Sequence, residues 1–470
     1  MIFTRSVLGA SVVAGMLAPG GKTFAADDGV VCIRDGLANF PKHLPPTPSG
    51  GNRVRLCYIG GGSIQGTGAS DEKKAYATKL TGRFRRAFPG RQFVEVKKGL
   101  RLTGSWLTAF RTETEVLRHY MALKLVVLDS AADDYGMPEA RVKAAVEGIV
   151  RQIREKHPFA EILFVYSLRK EFLADFSNGM TPDVIQWHEQ VAAHYGIPSV
   201  NMAKFVADKI SAGELAFAEF STDGLHPTDR GHKLYAEAVQ PLIDQCKAAE
   251  PPAELVAHEL PVPLTPRPLV AARLVTYERG DLQEGWLGWQ ESPVELFFHV
   301  VRCNEPGPVL SMRFKGAAIG YFDVLGPDSG DLEFSIDGGP WQFKQNFDEF
   351  AKVGFRPHAG LLAENLDPEK EHKVRIRVAA KQPAVSKGRW ARIAEFLIDG
   401  RVVFDEHNRG KGTLERIDAL WAEMEPVKYV SPADSLDFLP NTIRLLQEGP
   451  TLRIVMLGDS IVNDTAHSQY

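Results

Sequence analysis

Between residues 53 and 247 the apolar positions follow two alternating rhythms. Short runs in which most positions are apolar, at 54–59, 123–128 and 162–166, predict buried strands. Longer stretches near 75–88, 141–155, 182–195 and 231–246 read as amphipathic helices. Strand–helix alternation implies βαβ units and a parallel sheet covered on both faces, so 51–248 is expected to form a three-layer α/β/α domain.

The rhythm breaks at Pro251-Pro252, and Pro261, Pro263, Pro266 and Pro268 follow closely, so 249–272 reads as an interdomain linker. Across 273–405 the runs are short and β-like, at 296–301, 309–314, 332–336, 374–378 and 391–398. Gly326-Pro327-Asp328, Asp337-Gly338-Gly339 and Asp399-Gly400 punctuate them. Many short strands separated by turn residues predict an all-β sandwich. A helix at 413–425 falls within a helix-and-linker stretch, 406–451, and a fresh strand is expected at 452–457.

Composition narrows the class. The 470 residues suggest about three domains. They carry 55 Lys+Arg against 59 Asp+Glu, a formal net charge of -4, which gives no reason to expect a nucleic-acid partner. No internal apolar stretch approaches the roughly 18 residues a membrane span requires. The N-terminus differs from the rest: Arg5, an apolar run at 7–18, then Thr23-Phe24-Ala25-Ala26 resemble a secretory signal over 1–26, so a secreted or periplasmic location is expected. The four cysteines, 32, 57, 246 and 303, have no metal-ligand spacing; Cys57 reads as a buried thiol, and a Cys32–Cys246 bridge is left open. Neither a metal nor a cofactor signature is present.

Two constellations carry chemistry. Tyr58-Ile59-Gly60-Gly61-Gly62-Ser63-Ile64 puts a serine at the carboxyl end of the first strand, where open α/β sheets place ligands. Asp223-Gly224-Leu225-His226-Pro227 lies about 160 residues later, just before a helical run. An acid three residues before an imidazole can orient the ring over a serine on the sheet. Either motif alone is ordinary, as a glycine-serine turn or as a helix cap beside a surface histidine.

Together they resemble the SGNH (GDSL-type) hydrolase family, with its flavodoxin-like α/β fold, over roughly 53–246. Thr103-Gly104-Ser105 and Tyr195-Gly196-Ile197-Pro198-Ser199-Val200-Asn201-Met202 look like a secreted branch of it. The resemblance implies Ser63 as nucleophile and Asp223 and His226 as the rest of a triad. It also implies an oxyanion hole built from the serine amide, a glycine amide and an asparagine side chain. In this sequence those last two positions hold Leu102, within Lys97-Lys98-Gly99-Leu100-Arg101-Leu102-Thr103-Gly104-Ser105, and Asp133, within Asp129-Ser130-Ala131-Ala132-Asp133-Asp134. Leucine still offers its N–H, but an ionised carboxylate only accepts hydrogen bonds.

The same nucleophile block recurs as Leu457-Gly458-Asp459-Ser460-Ile461, with ten residues after Ser460, so 452–470 reads as the start of a second SGNH domain in which Ser460 is inert. The β region, through Gly316-Ala317-Ala318-Ile319-Gly320 and Arg392-Ile393-Ala394-Glu395-Phe396-Leu397-Ile398, resembles the jelly-roll accessory domain of carbohydrate esterases. Trp286, Trp289, Tyr321 and Trp341 are its candidate sugar-stacking aromatics. The resemblance implies an exported serine esterase acting on a carbohydrate ester or another small ester, without a cofactor. The rival expectation is a catalytically impaired domain that binds glycans, with Leu102 and Asp133 in its favour.

Overall fold

The computed structural model describes residues 29–43, 53–101, 103–120 and 123–403, which belong to one compact unit. The signal at 1–26, Leu102, the helix and linker at 406–451, and Ser460 with its strand at 452–470 lie outside the described residues.

Six strands build the first sheet: β1 (Val31–Cys32), β2 (Val54–Gly60), β3 (Phe93–Gly99), β4 (Leu123–Asp129), β5 (Glu161–Val165) and β6 (Ser199–Val200). Their order is β1-β6-β5-β4-β2-β3, all parallel except β1. Strands β2, β4 and β5 are buried along almost their whole length, which explains their unbroken apolar runs. Helices surround them: α1 (Phe40–His43), α2 (Gly62–Gln65), α3 (Tyr76–Ala87), α4 (Ser105–Arg111), α5 (Glu139–Lys156), α6 (Phe172–Ser177), α7 (Asp183–His194), α8 (Met202–Ser211), α9 (Phe217–Phe220), α10 (Asp229–Ala238) and α11 (Gln240–Ala248). On α5, Val142, Ala145, Val146, Ile149 and Ile153 recur at three- and four-residue spacing and are all buried. The run expected at 231–246 divides into α10 and α11, with Pro241 in the first turn of α11, where a missing N–H costs nothing.

Residues 29–43 extend the domain beyond its expected start at 51. Val31 and Cys32 pair antiparallel with Val200 and Ser199, and Phe40 packs on Phe84 with ring centroids 5.1 Å apart. The four cysteines are free, and burial pushes the Cys57 thiol up to about 12.

The proline-rich stretch is a strap on α5 rather than a loose connection. Arg151 Nη1 and Arg154 Nη1 donate to the carbonyls of Pro261 and Glu259 at 2.8 and 2.7 Å. Glu147 accepts from Leu264 N, Thr265 N and Thr265 Oγ1. Gly148 lets the strap lie close: a Cβ there would come within 2.6 Å of the Leu269 carbonyl oxygen.

Beyond it, ten antiparallel strands form the β-domain: β7 (Ala272–Thr276), β8 (Asp281–Leu282), β9 (Leu287–Glu291), β10 (His299–Cys303), β11 (Leu310–Leu325), β12 (Leu332–Ile336), β13 (Gln342–Lys344), β14 (Arg356–Ala363), β15 (Glu371–Val378) and β16 (Ala391–Val402). Strand β11 pairs with β15 through its first half and with β14 through its second, bulging against β16 near Gly316. That bend folds the sheet into a sandwich around Phe314, Ile319, Val374, Ile376 and Phe396. Alternation is plain on β15, where His372, Val374, Ile376 and Val378 point inward. Trp286 and Tyr321 belong to this core, Trp289 stacks on His299, and Arg377 lies over Trp341. Leu274, Phe322 and Leu397 instead join the core of the α/β domain, so the two domains share one apolar cluster.

Candidate active site

Three successive glycines carry the chain from β2 into α2, and each meets something different. Gly60 has φ +136°, and a Cβ there would sit 1.9 Å from the Asp129 carbonyl oxygen. A Cβ on Gly61 would lie 1.7 Å from Asp133 Oδ2, and one on Gly62 would lie 2.9 Å from His226 Nε2. The missing side chains therefore bring a carboxyl and an imidazole up to the backbone immediately before Ser63, which stands in the first turn of α2.

His226 arrives on the loop between α9 and α10. Its Nδ1 is 2.6 Å from Asp223 Oδ2, while Asp223 Oδ1 accepts from the His226 and Leu225 N–H groups at 2.8 and 3.0 Å. Burial works to raise the Asp223 pKa, but the bonds from the His226 ring and these amides hold it well below the usual carboxylate range. An acceptor at Oδ2 puts the ring proton on Nδ1 and leaves the Nε2 lone pair free. Nε2 is closed to solvent and has no hydrogen-bond partner, so the Ser63–His226 bond is open in this structure. Asp223 and His226 are thus paired, and the His226 ring lies against Gly62, the residue before Ser63.

Asp133 is half-buried against Gly61. Burial first, then the Asp129 and Asp134 carboxyls, push its own carboxyl well above the ordinary range, and Arg169 opposes this in part. Its neighbours were not singled out from sequence. Asp129, at the end of β4, accepts from Tyr76 OH at 2.8 Å and from Ser167 Oγ at 2.6 Å, and burial raises it to about 6. Asp134 caps α4 through Ser105 N at 2.7 Å and meets His188 Nε2 at 2.9 Å. His232 accepts from Tyr76 N and bonds the Thr67 carbonyl; burial lowers it to about 4, so it is a neutral brace for the loop beside His226. An acid at the carboxyl end of a buried strand was the available signal for Asp129; for His188 and His232 there was none. Among the described residues no three His, Cys, Asp or Glu side chains group to hold a metal, and no helix is long and apolar enough to cross a membrane.

Two cavities adjoin this region. The larger, about 1210 Å³, runs past Tyr135, Met180 and Trp187 and touches none of the three triad positions. The second, about 1110 Å³, lies between the domains and reaches the site through Gln65 and Asp133; Phe350, Phe355 and His358 form its opposite wall. Of these two, the second touches the Ser63 helix, at Gln65, while Ser63, Asp223 and His226 line neither.

Residues 59–234, which hold the whole constellation, match the GDSL-like Lipase/Acylhydrolase family. This segment is a GDSL-like acylhydrolase domain. The chain that carries the domain is accordingly a carboxylic ester hydrolase. No curated protein matches the sequence of this acylhydrolase. Among solved structures, a two-domain esterase (CEX) active on acetylated mannans, co-crystallized with mannopentaose, is similar to it with a TM-score of 0.63. Identity is 20%, and the alignment covers 76% of this chain and 92% of that one, so the likeness is one of fold across both domains. Axe2, an acetylxylan esterase from Geobacillus stearothermophilus, is 17% identical over 40% of this chain and 94% of its own, with a TM-score of 0.34.

Proposed function

We propose that this acylhydrolase is an exported serine esterase that removes O-acetyl groups from carbohydrate through Ser63, His226 and Asp223. His226 Nε2 takes the proton of Ser63 Oγ as the oxygen attacks the ester carbonyl. Asp223 holds the ring and stabilises the imidazolium. The proton then passes to the departing sugar oxygen, leaving acetyl on Ser63. Water, deprotonated by the same nitrogen, releases acetate and restores the serine.

One observation carries the serine mechanism. His226 Nε2 is buried and unpartnered, an arrangement that costs about 1–3 kcal/mol in an ordinary core. Its ring is fixed from behind by Asp223 and its free nitrogen faces Gly62, one residue from Ser63. A base kept for a nucleophile accounts for that cost, since catalytic hydrogen bonds close in the substrate complex.

The carbohydrate reading rests on the cavity between the domains. Its β-domain wall presents Phe350 and Phe355, 66% and 44% exposed, as apolar faces for sugar rings. The solved esterase of like fold is active on acetylated mannans, and the jelly-roll resemblance of the β-domain points the same way. Acetate release from a panel of acetylated mannans and xylans, with an aryl acetate as control, tests it. Release from at least one glycan is expected; hydrolysis of the aryl ester alone would overturn the carbohydrate substrate. Export is checked by N-terminal sequencing of the mature protein, with cleavage expected near Ala25.

Asp133 favours a second reading, an impaired domain that binds glycans without cleaving them. Measurable glycan binding with no hydrolysis of any ester at any pH would select it.

A further inference from the structure

The carboxyls around the nucleophile turn are treated unequally. Asp129 accepts from Tyr76 OH, Ser167 Oγ and Ser167 N. Asp134 accepts from Ser105 N and pairs with His188. Both are built as acceptors. Asp133 lies between these two in the same turn and, among the described residues, its side chain accepts no hydrogen bond. The cation acting on it is Arg169, whose guanidinium already holds the Ala132 carbonyl and Glu171 and lies 4.1 Å over the Tyr135 ring. Arg101, Arg141, Glu295, Lys344, Arg356 and His358 line the same cavity; Arg141 is paired with Glu364, Arg356 with Asp348 and His358 with Asp323. On its other side Asp133 touches Gly61, with His226 beyond Gly62.

A carboxylate in that position would be half-buried beside two others, with no hydrogen-bond donor from the described residues to stabilise its charge. The same carboxyl with its proton is a donor, and it lines the cavity that reaches the Ser63 helix at Gln65. We propose that Asp133 acts in catalysis as a neutral acid, donating its O–H to the ester carbonyl oxygen and to the oxyanion formed when Ser63 attacks. The proton stays on Asp133 throughout: the bond shortens as charge develops and relaxes as the alkoxide leaves, so nothing is transferred. This rests on the reading of Ser63 as nucleophile. It replaces the amide donor that the family resemblance implies at this position, and it explains how a carboxyl there is compatible with activity.

The sign follows directly. A donor acid is competent below its pKa and becomes a repelling anion above it, so activity falls on the alkaline side. The experiment measures kcat/KM on p-nitrophenyl acetate against pH for the full chain, Asp133→Asn and Asp133→Ala, with spontaneous hydrolysis subtracted. The unmodified protein is expected to lose about 100- to 1000-fold across its alkaline limb, the worth of one oxyanion donor. Asp133→Asn should abolish that limb, and Asp133→Ala should sit low by the same factor at every pH. An alkaline limb unchanged in Asp133→Asn, or Asp133→Ala equal to the unmodified protein, overturns the proposal. Infrared difference spectra of the unmodified protein against either variant provide a second readout. A protonated-carboxyl band assigned to Asp133 at neutral pH supports the proposal, and its absence refutes it even if a variant folds poorly. No activity at any pH together with no labelling of Ser63 is a different result, because it removes the esterase reading itself.

Discussion

Replacing Glu147 with alanine should loosen the strap and lower stability measurably. The Glu147 carboxylate is fully buried on α5 and accepts four hydrogen bonds: Tyr195 OH at 2.7 Å, Leu264 N at 2.6 Å, Thr265 N at 2.7 Å and Thr265 Oγ1 at 2.5 Å. Leu264 is 40% exposed, so its amide can turn to water; the Tyr195 oxygen still accepts from Arg151, while its O–H loses its acceptor. The two Thr265 donors are buried and lose their partner outright. Counting the two Thr265 donors alone at about 1–3 kcal/mol each, the expected cost is roughly 2–6 kcal/mol. At about 2–4 °C per kcal/mol, that is a fall in Tm of roughly 4–24 °C. Burial acts to raise the Glu147 pKa, but its four bonds more than offset this and lower it. Its contribution is therefore present above the ordinary carboxylate value and is lost as pH falls through the lowered one, so the gap between the two proteins should close in acid. Thermal melts against pH, with limited proteolysis within 249–272, read both effects. A variant melting within about 1 °C of the parent at neutral pH, with the strap still protected, would refute the reasoning.

Other consequences follow from single contacts. Glu395 on β16 is raised to about 7, chiefly by burial and then by Glu115, with Arg111 opposing. Its ionisation therefore destabilises the fold progressively from the ordinary carboxylate value up to about 7. Glu395→Gln should gain roughly 1–3 kcal/mol at pH 8 and nothing at pH 4, a difference that melts at the two pH values resolve. Gly61→Ala would set a methyl 1.7 Å from Asp133 Oδ2, so the turn or the Asp133 carboxyl must shift while the core remains. A loss of about 100-fold in kcat with an unchanged Tm is expected, and full activity would show that this approach is not needed.

Much of the α/β domain was legible because its strands are buried on both faces. Residues 54–59 and 123–128 read as strands, and β2 and β4 differ from them by one residue each. The edges were not legible. Strand β1 has two residues and no pattern of its own, and β3 alternates valine with glutamate and lysine at the margin of the sheet. In the β-domain, 309–314 marks only the first half of β11, because Gly316 interrupts the apolar rhythm where the strand in fact bends and continues. Composition also cannot distinguish an inward aromatic from an outward one. Trp286 and Tyr321 turned out to be core, whereas the cavity-lining Phe350 and Phe355 lie in and beside a short 3-10 turn, Glu349–Lys352, with no strand signal. Ser63, Asp223 and His226 stood out as candidates because turn glycines and an Asp-x-x-His spacing are local features. The partners of Asp129 and Asp134, from Tyr76 to His188, come from distant segments and depend on the fold.

The central claim is that Ser63 is the nucleophile activated by His226. The direct measurement is labelling of the full chain with a fluorophosphonate, followed by intact mass and peptide mapping. One equivalent on Ser63 is expected, lost in Ser63→Ala and strongly slowed in His226→Ala. A folded protein that takes no label, or one that keeps its label in Ser63→Ala through Ser460 or another serine, would contradict the account.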